Sequence, residues 1–367
     1  MLNHWLNFVD DSIVEHVRNL NIHQLGKHII FHTPDFIPQL TDNCIAIIGL
    51  DAVEADAIRL ALYNLGNNIS PNNVYDLGNM RKTDAGFVAP FLNDIIQGDT
   101  TLLLLGSNTA HLKTCVSFFK SARKTVNVCV VDSKVELPTE PNKEKVWEQI
   151  LVENKIFHCS IVGFQSHYHS ENINDFFEKK NYELLRLGKT RHNLEETEPV
   201  LRDADIVSFH LSALKYIEAP AQKSLSPSGF TIEEASQLAR YAGMSDKLQC
   251  FSMLGFDAEK IGNELSAQGI AQILWYFIEG FILRKQDYPI SAAHNQLTQY
   301  VVDVTAFSDQ VTFWRSNKSG RWWMEVPLKS RKKTERHKLI PCSYNDYLMA
   351  CQDDLPERLL SAYRRFI

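Results

Sequence analysis

Three apolar runs of strand length end in residues that could do chemistry. The first is 203–215, DADIVSFHLSALK, where Ile206, Val207, Phe209 and Leu211 form the apolar body and Ser208, His210, Ser212 and Lys215 supply polar groups. The second run, 126–131, exits into Asp132, Ser133, Lys134 and Glu136; the third, 156–164, exits into Gln165, His167 and His169. Asp132, Glu136 and His210 are hard oxygen and nitrogen donors that could hold one divalent cation with open positions. The Lys134 ammonium could instead neutralise the two carboxylates, since opposite charges a few ångströms apart gain about 4 kcal/mol at an effective dielectric near 20, before desolvation. His167 and His169 alternate along an extended exit, so both could face one side. A further turn, Gly106-Ser107-Asn108, could hold an anion on helix N-terminal amides. Plainer readings stand beside each: an ion-pair cluster, loop histidines, and a satisfied core histidine at His158. Cys129 and Cys159 have nothing nearby in sequence to lower a thiol pKa.

The elements that must position these groups alternate strand and helix. Apolar runs at 44–50, 101–106, 126–131, 156–164 and 248–254 read as strands, with shorter extended pieces at 74–79 and 183–187. Helices are expected at 53–65, 87–96, from after Thr109 through Phe119, and at 147–151, 175–180, 231–243 and 257–284. Thr231 and Glu234 form a capping box at the start of one of them. In the last, Ile261, Leu265, Ile270, Ile273, Leu274 and Phe277 are the expected core positions. This alternation predicts a three-layer α/β/α domain with a mostly parallel sheet over residues 1–300, and ligands in such a fold sit at the carboxyl ends of strands. After 300 the pattern changes. A β-hairpin at 311–326, a basic run at 329–338 and a terminal helix at 355–366 predict a β-rich C-terminal extension, 301–367. Trp314, Trp322 and Trp323 on the hairpin could form a recognition patch, or pack onto the main domain, because an isolated hairpin is unstable in water.

The 367 residues carry a net charge of −6 and seven cysteines with no CxxC pair. Mild acidity argues against nucleic-acid binding. The cysteines read as reduced core residues of a cytoplasmic protein. The segment 1–20, with Asp10, Asp11, Glu15 and His16, does not read as a signal peptide, and no apolar stretch is long enough to span a bilayer.

Taken in order, the strand exits resemble motifs of the arginase (ureohydrolase) family, which includes arginase, agmatinase and formimidoylglutamase. Asp76-Leu77-Gly78-Asn79 is similar to its DLGN piece, and 105–110 (LGSNTA) falls where the family has LGGDHS. Residues 132–136 (DSKVE) fall at DAHxD, and 208–212 (SFHLS) at SxDxD. Ser228-Gly229-Phe230-Thr231 with Glu234 resembles GGLTxxE. The likeness spans roughly residues 40–290 and is nearest the formimidoylglutamase-like branch. It implies two manganese ions that activate a water. The implied metal positions are Thr109, Asp132, Lys134, Glu136, His210 and Ser212, with Met253 near a further one, and Asp132 alone is unchanged.

These losses predict a catalytically silent homologue with no cofactor, in which a Lys134 pair with Asp132 or Glu136 replaces the metal. Its expected partners are a small ligand in the old crevice, a protein bound through the C-terminal extension, and further copies of itself, the last from the resemblance alone. The alternative is a manganese-dependent hydrolase of linear amidines. Asp132, Glu136 and His210 would then hold the metal and His167 or His169 would shuttle protons.

Overall fold

In a computed structural model the chain is described over residues 2–69, 71, 73–95, 99–108, 110–122, 126–135, 150–151, 156–169, 171–289, 296–305, 309–327 and 338–366. Thr109, Glu136, the expected helix at 147–151 (apart from Ile150 and Leu151) and the basic run (apart from Lys338) lie outside these residues.

Eight strands run parallel through the main sheet: β1 (Cys44–Gly49), β2 (Val74–Met80), β3 (Thr100–Leu105), β4 (Asn127–Val131), β5 (His158–Phe164), β6 (Glu183–Arg186), β7 (Ile206–His210) and β8 (Cys250–Leu254). Their spatial order is β2-β1-β3-β8-β7-β4-β5-β6. Two short strands, Leu6–Asn7 and Ile30–Phe31, pair with β2 at the edge. Successive side chains alternate between the two faces. Ile45, Ile47, Leu103, Leu105, Phe251 and Met253 pack against the helices Ala52–Tyr63, Ile232–Gly243 and Asn263–Ile282. Cys44, Ala46, Ile48, Leu102, Leu104 and Ile206 pack against Ala85–Ile95, Ala110–Ala122 and Glu171–Lys179. Burial of both faces explains why these strands read as continuous apolar runs.

The helices on the first face approach closely. A Cβ on Gly243 would lie 2.2 Å from the carbonyl oxygen of Phe277, so only glycine fits between these two backbones. The capping box at Thr231 and Glu234 forms as expected. The long helix starts at Asn263 rather than 257, because Gly262 is left-handed (φ +81°) and breaks it there. Two of the residues assigned to its buried side do not lie there: Ile261 is 96 % and Leu265 52 % exposed, while Ile270, Ile273, Leu274 and Phe277 are buried. Leu265 lies about 130° around the helix from the middle of that buried side, and the late start leaves Ile261 in the preceding turn.

A separate antiparallel sheet follows, β9 (Leu297–Val304), β10 (Asp309–Ser316), β11 (Trp322–Glu325) and β12 (Leu339–Cys342), with the helices Tyr344–Cys351 and Glu357–Phe366. Val311, Phe313, Met324, Ile340, Leu359 and Ala362 form its own core. It docks on the main domain through buried arginines. Arg202 is held by Glu198 at 2.8 Å, donates to the carbonyls of Trp322 (3.0 Å) and Cys342 (3.2 Å), and lies 4.4 Å from the Trp323 ring. Arg365 reaches His158 (2.6 Å) and Glu183 (3.4 Å) on the main sheet. Trp322 and Trp323 are buried and Trp314 is half-buried, so the tryptophans are packing residues rather than an open patch.

Candidate functional site

Sheet register brings the exits of β4 and β7 together. Ser208 on β7 lies level with Val130 on β4 and Ser252 on β8. The period of two that buries Ile206 puts Ser208 and His210 on that same face, one and two steps further on. Beyond the end of β4, Asp132 meets His210, with Nδ1 of His210 3.3 Å from Oδ2. On the other side of the ring Nε2 is 3.0 Å from Ser208 Oγ, and Ser252 Oγ donates to Ser208 Oγ at 2.9 Å. One direction satisfies every member: Ser252 to Ser208, Ser208 to His210 Nε2, and His210 Nδ1–H to Asp132. Burial lowers the His210 pKa, and Asp132 opposes this only in part, so the ring is neutral and can act as this relay.

The other carboxylate oxygen is equally engaged. Asp132 Oδ1 accepts from the Ser133 amide at 2.6 Å, from the Lys134 amide at 3.4 Å and from Ser212 Oγ at 2.6 Å. Asp132, His210 and Ser212 are all buried. The order Asp132–His210–Ser208 matches that of a hydrolase triad. Ser208, however, is fully buried inside the sheet, where its hydroxyl cannot reach a substrate.

Of the two partners expected for Lys134, Glu136 lies outside the described residues. Among the described residues Lys134 makes no ion pair with Asp132. Its ammonium sits 4.3 Å from the Tyr168 ring centroid and 3.4 Å from Ser224 Oγ. Asp132 is already surrounded by donors, so the cation settles on the aromatic face instead.

The histidines at the β5 exit also part. The exit is a 3-10 turn, Ser166–Tyr168, not an extended segment. His169 is half-buried, stacks on Phe164 with centroids 4.4 Å apart, and has Nε2 3.4 Å from the Ser133 carbonyl. Burial lowers its pKa. His167 is exposed and lies against Tyr168. Lys215 lies past the crevice on the loop after β7, its amide bonded to the Phe230 carbonyl. His158 is a core histidine between Arg365 and Glu183. Burial pushes the Cys129 thiol up to about 12 and Cys159 well above its ordinary value, so neither is a nucleophile.

Several groups escaped the sequence reading. Asp51, at the exit of β1, accepts from the Ser107 amide (2.6 Å) and hydroxyl (2.7 Å), and His111 lies 3.5 Å away. Burial pushes Asp51 up, but His111 and Ser107 outweigh it and hold the carboxyl well below the usual range. The Ser107 amide, one of those considered for an anion, is therefore occupied by the protein's own carboxylate. Asp51 had a signal, as a carboxylate ending an apolar strand; His111 had none beyond its type. Ser133 Oγ and Gln165 Oε1 are buried without a hydrogen-bond partner, and Gln165 Nε2 donates to the Ser228 carbonyl at 2.9 Å. The DLGN piece is structural: Asp76 is buried and takes Arg59 at 2.7 and 3.0 Å.

Solved structures carry the comparison. Formimidoylglutamase from Bacillus subtilis subsp. subtilis str. 168 superposes with a TM-score of 0.62 at 16 % identity, covering 74 % of this chain and 99 % of that one. Trypanosoma cruzi formiminoglutamase, in a structure with manganese, gives 0.57 at 16 % identity over 66 % and 94 %. Proclavaminate amidino hydrolase from Streptomyces clavuligerus gives 0.57 at 13 % identity over 69 % and 100 %. The fold is that of the arginase superfamily. No family model matches the chain, and no curated protein matches it.

An arginase-type fold raises the question of a metal pair. Among the described residues no three His, Cys, Asp or Glu side chains gather where they could hold a metal ion. The groups aimed at Asp132 are hydrogen-bond donors, whereas a divalent cation needs lone pairs. Two of the implied metal positions, Thr109 and Glu136, lie outside the described residues.

Proposed function

We propose that this arginase-fold protein works as a binding module, its crevice at the ends of β4, β5 and β7 taking a small polar ligand without a metal centre. The observation that carries this reading is the saturation of Asp132 by Ser133, Ser212 and His210. Oδ1 accepts from three protein donors and Oδ2 faces His210, so the carboxylate is held by the protein rather than presented open to a metal or a substrate proton. The group left for a ligand is the Lys134 ammonium, which would suit a molecule with an anionic end. The C-terminal extension is the proposed surface for a protein partner, and the buried free cysteines suit a reducing, cytoplasmic setting.

A second reading is a metal-dependent hydrolase of linear amidines such as N-formimidoyl-glutamate. It is favoured by the fold's likeness to formimidoylglutamase and proclavaminate amidino hydrolase, and by the adjacency of Asp132 and His210. Asp132, His210 and Glu136 would be its metal ligands. His169 is the better placed of the two proton-shuttle candidates, since it faces Ser133.

One experiment separates them. The protein is expressed with added manganese, gel-filtered without chelator, and its metal content read by plasma mass spectrometry. Near-zero manganese is expected. Stoichiometric manganese, together with release of formamide, urea or ammonia that Asp132→Ala abolishes, would overturn the binding-module reading in favour of the hydrolase.

A further inference from the structure

Strand β9 closes one side of the C-terminal sheet, and among the described residues it pairs with β10 alone. The ladder fixes which way each of its backbone groups points. The Asn317 amide donates to the Gln296 carbonyl, so the even positions from 296 to 304 turn their N–H and C=O groups towards β10. The odd positions turn theirs away. Thr305 bears this out, since its amide donates to Asp353 Oδ1 at 2.8 Å instead of to the sheet. Gln299, Val301 and Asp303 are exposed, and among the described residues their main-chain groups have no hydrogen-bond partner. Sheets normally protect such an edge with Pro, Lys or a bulge. The opposite edge, β12, is four residues long, contains Pro341 and lies against Arg202, which donates to the Cys342 carbonyl. β9 has eight residues, no Pro or Lys, and no break in register.

We propose that this edge takes an extended, basic-apolar peptide of a protein partner as a further strand. The proposal rests on the reading of the C-terminal extension as the partner surface and says what that surface recognises. Main-chain donors and acceptors repeating every ~6.8 Å along an open edge are matched by another extended backbone. The flanking side chains set the peptide's chemistry. Its residues opposite Tyr300 and Val302 fall on the face where Tyr300 packs against Tyr347, ring centroids 5.6 Å apart, so apolar side chains extend that core. Its residues opposite Gln299, Val301 and Asp303 fall on the other face. Asp303 and, past Thr305, Asp353 make this end of the edge acidic. Both take neutral donors, the Gln310 amide and the Thr305 amide, so a Lys or Arg of the peptide complements them.

The probe is a fluorescein-labelled peptide, Thr-Lys-Val-Thr-Val-Thr-Gly, titrated with the full chain by fluorescence anisotropy. Laid antiparallel, it sets its Lys opposite Asp303 and its two Val residues opposite Val302 and Tyr300. Saturable binding is expected. N-methylation of the peptide amide opposite Val301 should weaken it at least about tenfold, whereas N-methylation of the two Val amides, which point away from the edge, should leave it intact. Val301→Pro removes an outward donor and spares every bond to β10, so it too should cost at least about tenfold. Asp303→Lys should weaken the parent peptide and favour one with Glu in place of its Lys. Circular dichroism checks that each variant folds, and hydrogen exchange, expected to slow at Gln299, Val301 and Asp303, locates the peptide. No saturable binding below about 1 mM, or binding indifferent to Val301→Pro and to N-methylation opposite it, overturns the proposal. Slowed exchange elsewhere in 297–366 overturns the edge but leaves the extension as the partner surface; slowed exchange in the main domain alone overturns both. A mass that doubles with concentration in wild type but not in Val301→Pro would put a second copy on the edge. Slow exchange at these three amides in the free protein would mean that the chain pairs its own edge. Either result overturns the peptide as occupant.

Discussion

Ser212 Oγ lies 2.6 Å from Asp132 Oδ1 and donates to it across 80 residues of sequence. The contact closes the gap between the β4 and β7 exits. A buried acceptor that loses a donor costs about 1–3 kcal/mol. Ser212→Ala should lower the unfolding free energy by about that amount, and Ser212→Asp, which sets a second carboxylate against the first, should cost more. Urea denaturation with an unchanged slope measures both. A Ser212→Ala protein as stable as the parent would mean that the hydroxyl does not hold Asp132.

The relay behind Asp132 makes a second prediction, about coupling. Ser252 donates to Ser208 and Ser208 to His210. Ser208→Ala strands the hydroxyl of Ser252 and Nε2 of His210 together. Ser252→Ala removes only the first donor. The double variant should therefore cost less than the sum of the two, with a coupling of about 0.5–3 kcal/mol. Additive losses would show that the two hydroxyls act separately.

The arrangement of strands was legible because burial on both faces writes itself as unbroken apolar runs, and each run stops where a polar exit begins. That was enough to place Asp132, His210 and Ser212 at one edge of the sheet. Their roles were not legible, since they depend on register between strands far apart in sequence. Lys134 was expected beside Asp132, but nothing local shows that Tyr168 offers its ring face nearby. Leu265 was expected in the core by its type, but at 3.6 residues per turn it lies about 130° from the middle of the buried side, where it faces solvent. The helix Tyr344–Cys351 did leave a trace, the Ser343-x-x-Asp346 capping box, which the strand-like surroundings concealed.

Arg202 joins the main domain to the C-terminal sheet and is almost wholly buried. Removing one partner of a buried ion pair costs about 3–5 kcal/mol, because the other charge stays behind. Arg202→Ala leaves Glu198 with Arg321 alone, at 3.5 Å, takes the donor from two carbonyls and frees one face of Trp323, so its cost falls below that of a fully unpaired charge. Arg202→Lys should rescue little, since an ammonium cannot fork between a carboxylate and two carbonyls while stacking on the indole. Tryptophan fluorescence should shift to the red in both variants as the docked face admits water, and protease should cut the extension earlier. A lysine variant with parental fluorescence and protease resistance would show that charge alone makes this joint.

The same joint should make stability depend on pH in two steps. His158 faces Arg365, Glu183 and, further off, Asp203; Arg358 also faces Glu183. Burial and then Arg365 push His158 below its ordinary value, so the folded protein keeps it neutral, with Nδ1 accepting from Arg365. The unfolded chain takes up this proton near about pH 6.5, so stability begins to fall as pH drops through that value and goes on falling towards the folded pKa. Burial pushes Glu183 up, but His158, Arg365 and Arg358 outweigh it and hold it well below the usual carboxylate range. Its contribution is therefore present above about pH 4.3 and lost as pH falls below it. His158→Gln keeps an acceptor for Arg365 but cannot titrate. It should flatten the first step and shrink the second, since His158 is one of the groups that hold Glu183 down, in urea midpoints measured from neutral pH downwards. A variant that retains the parental slope between about pH 7 and about pH 5 would place the first step on another group.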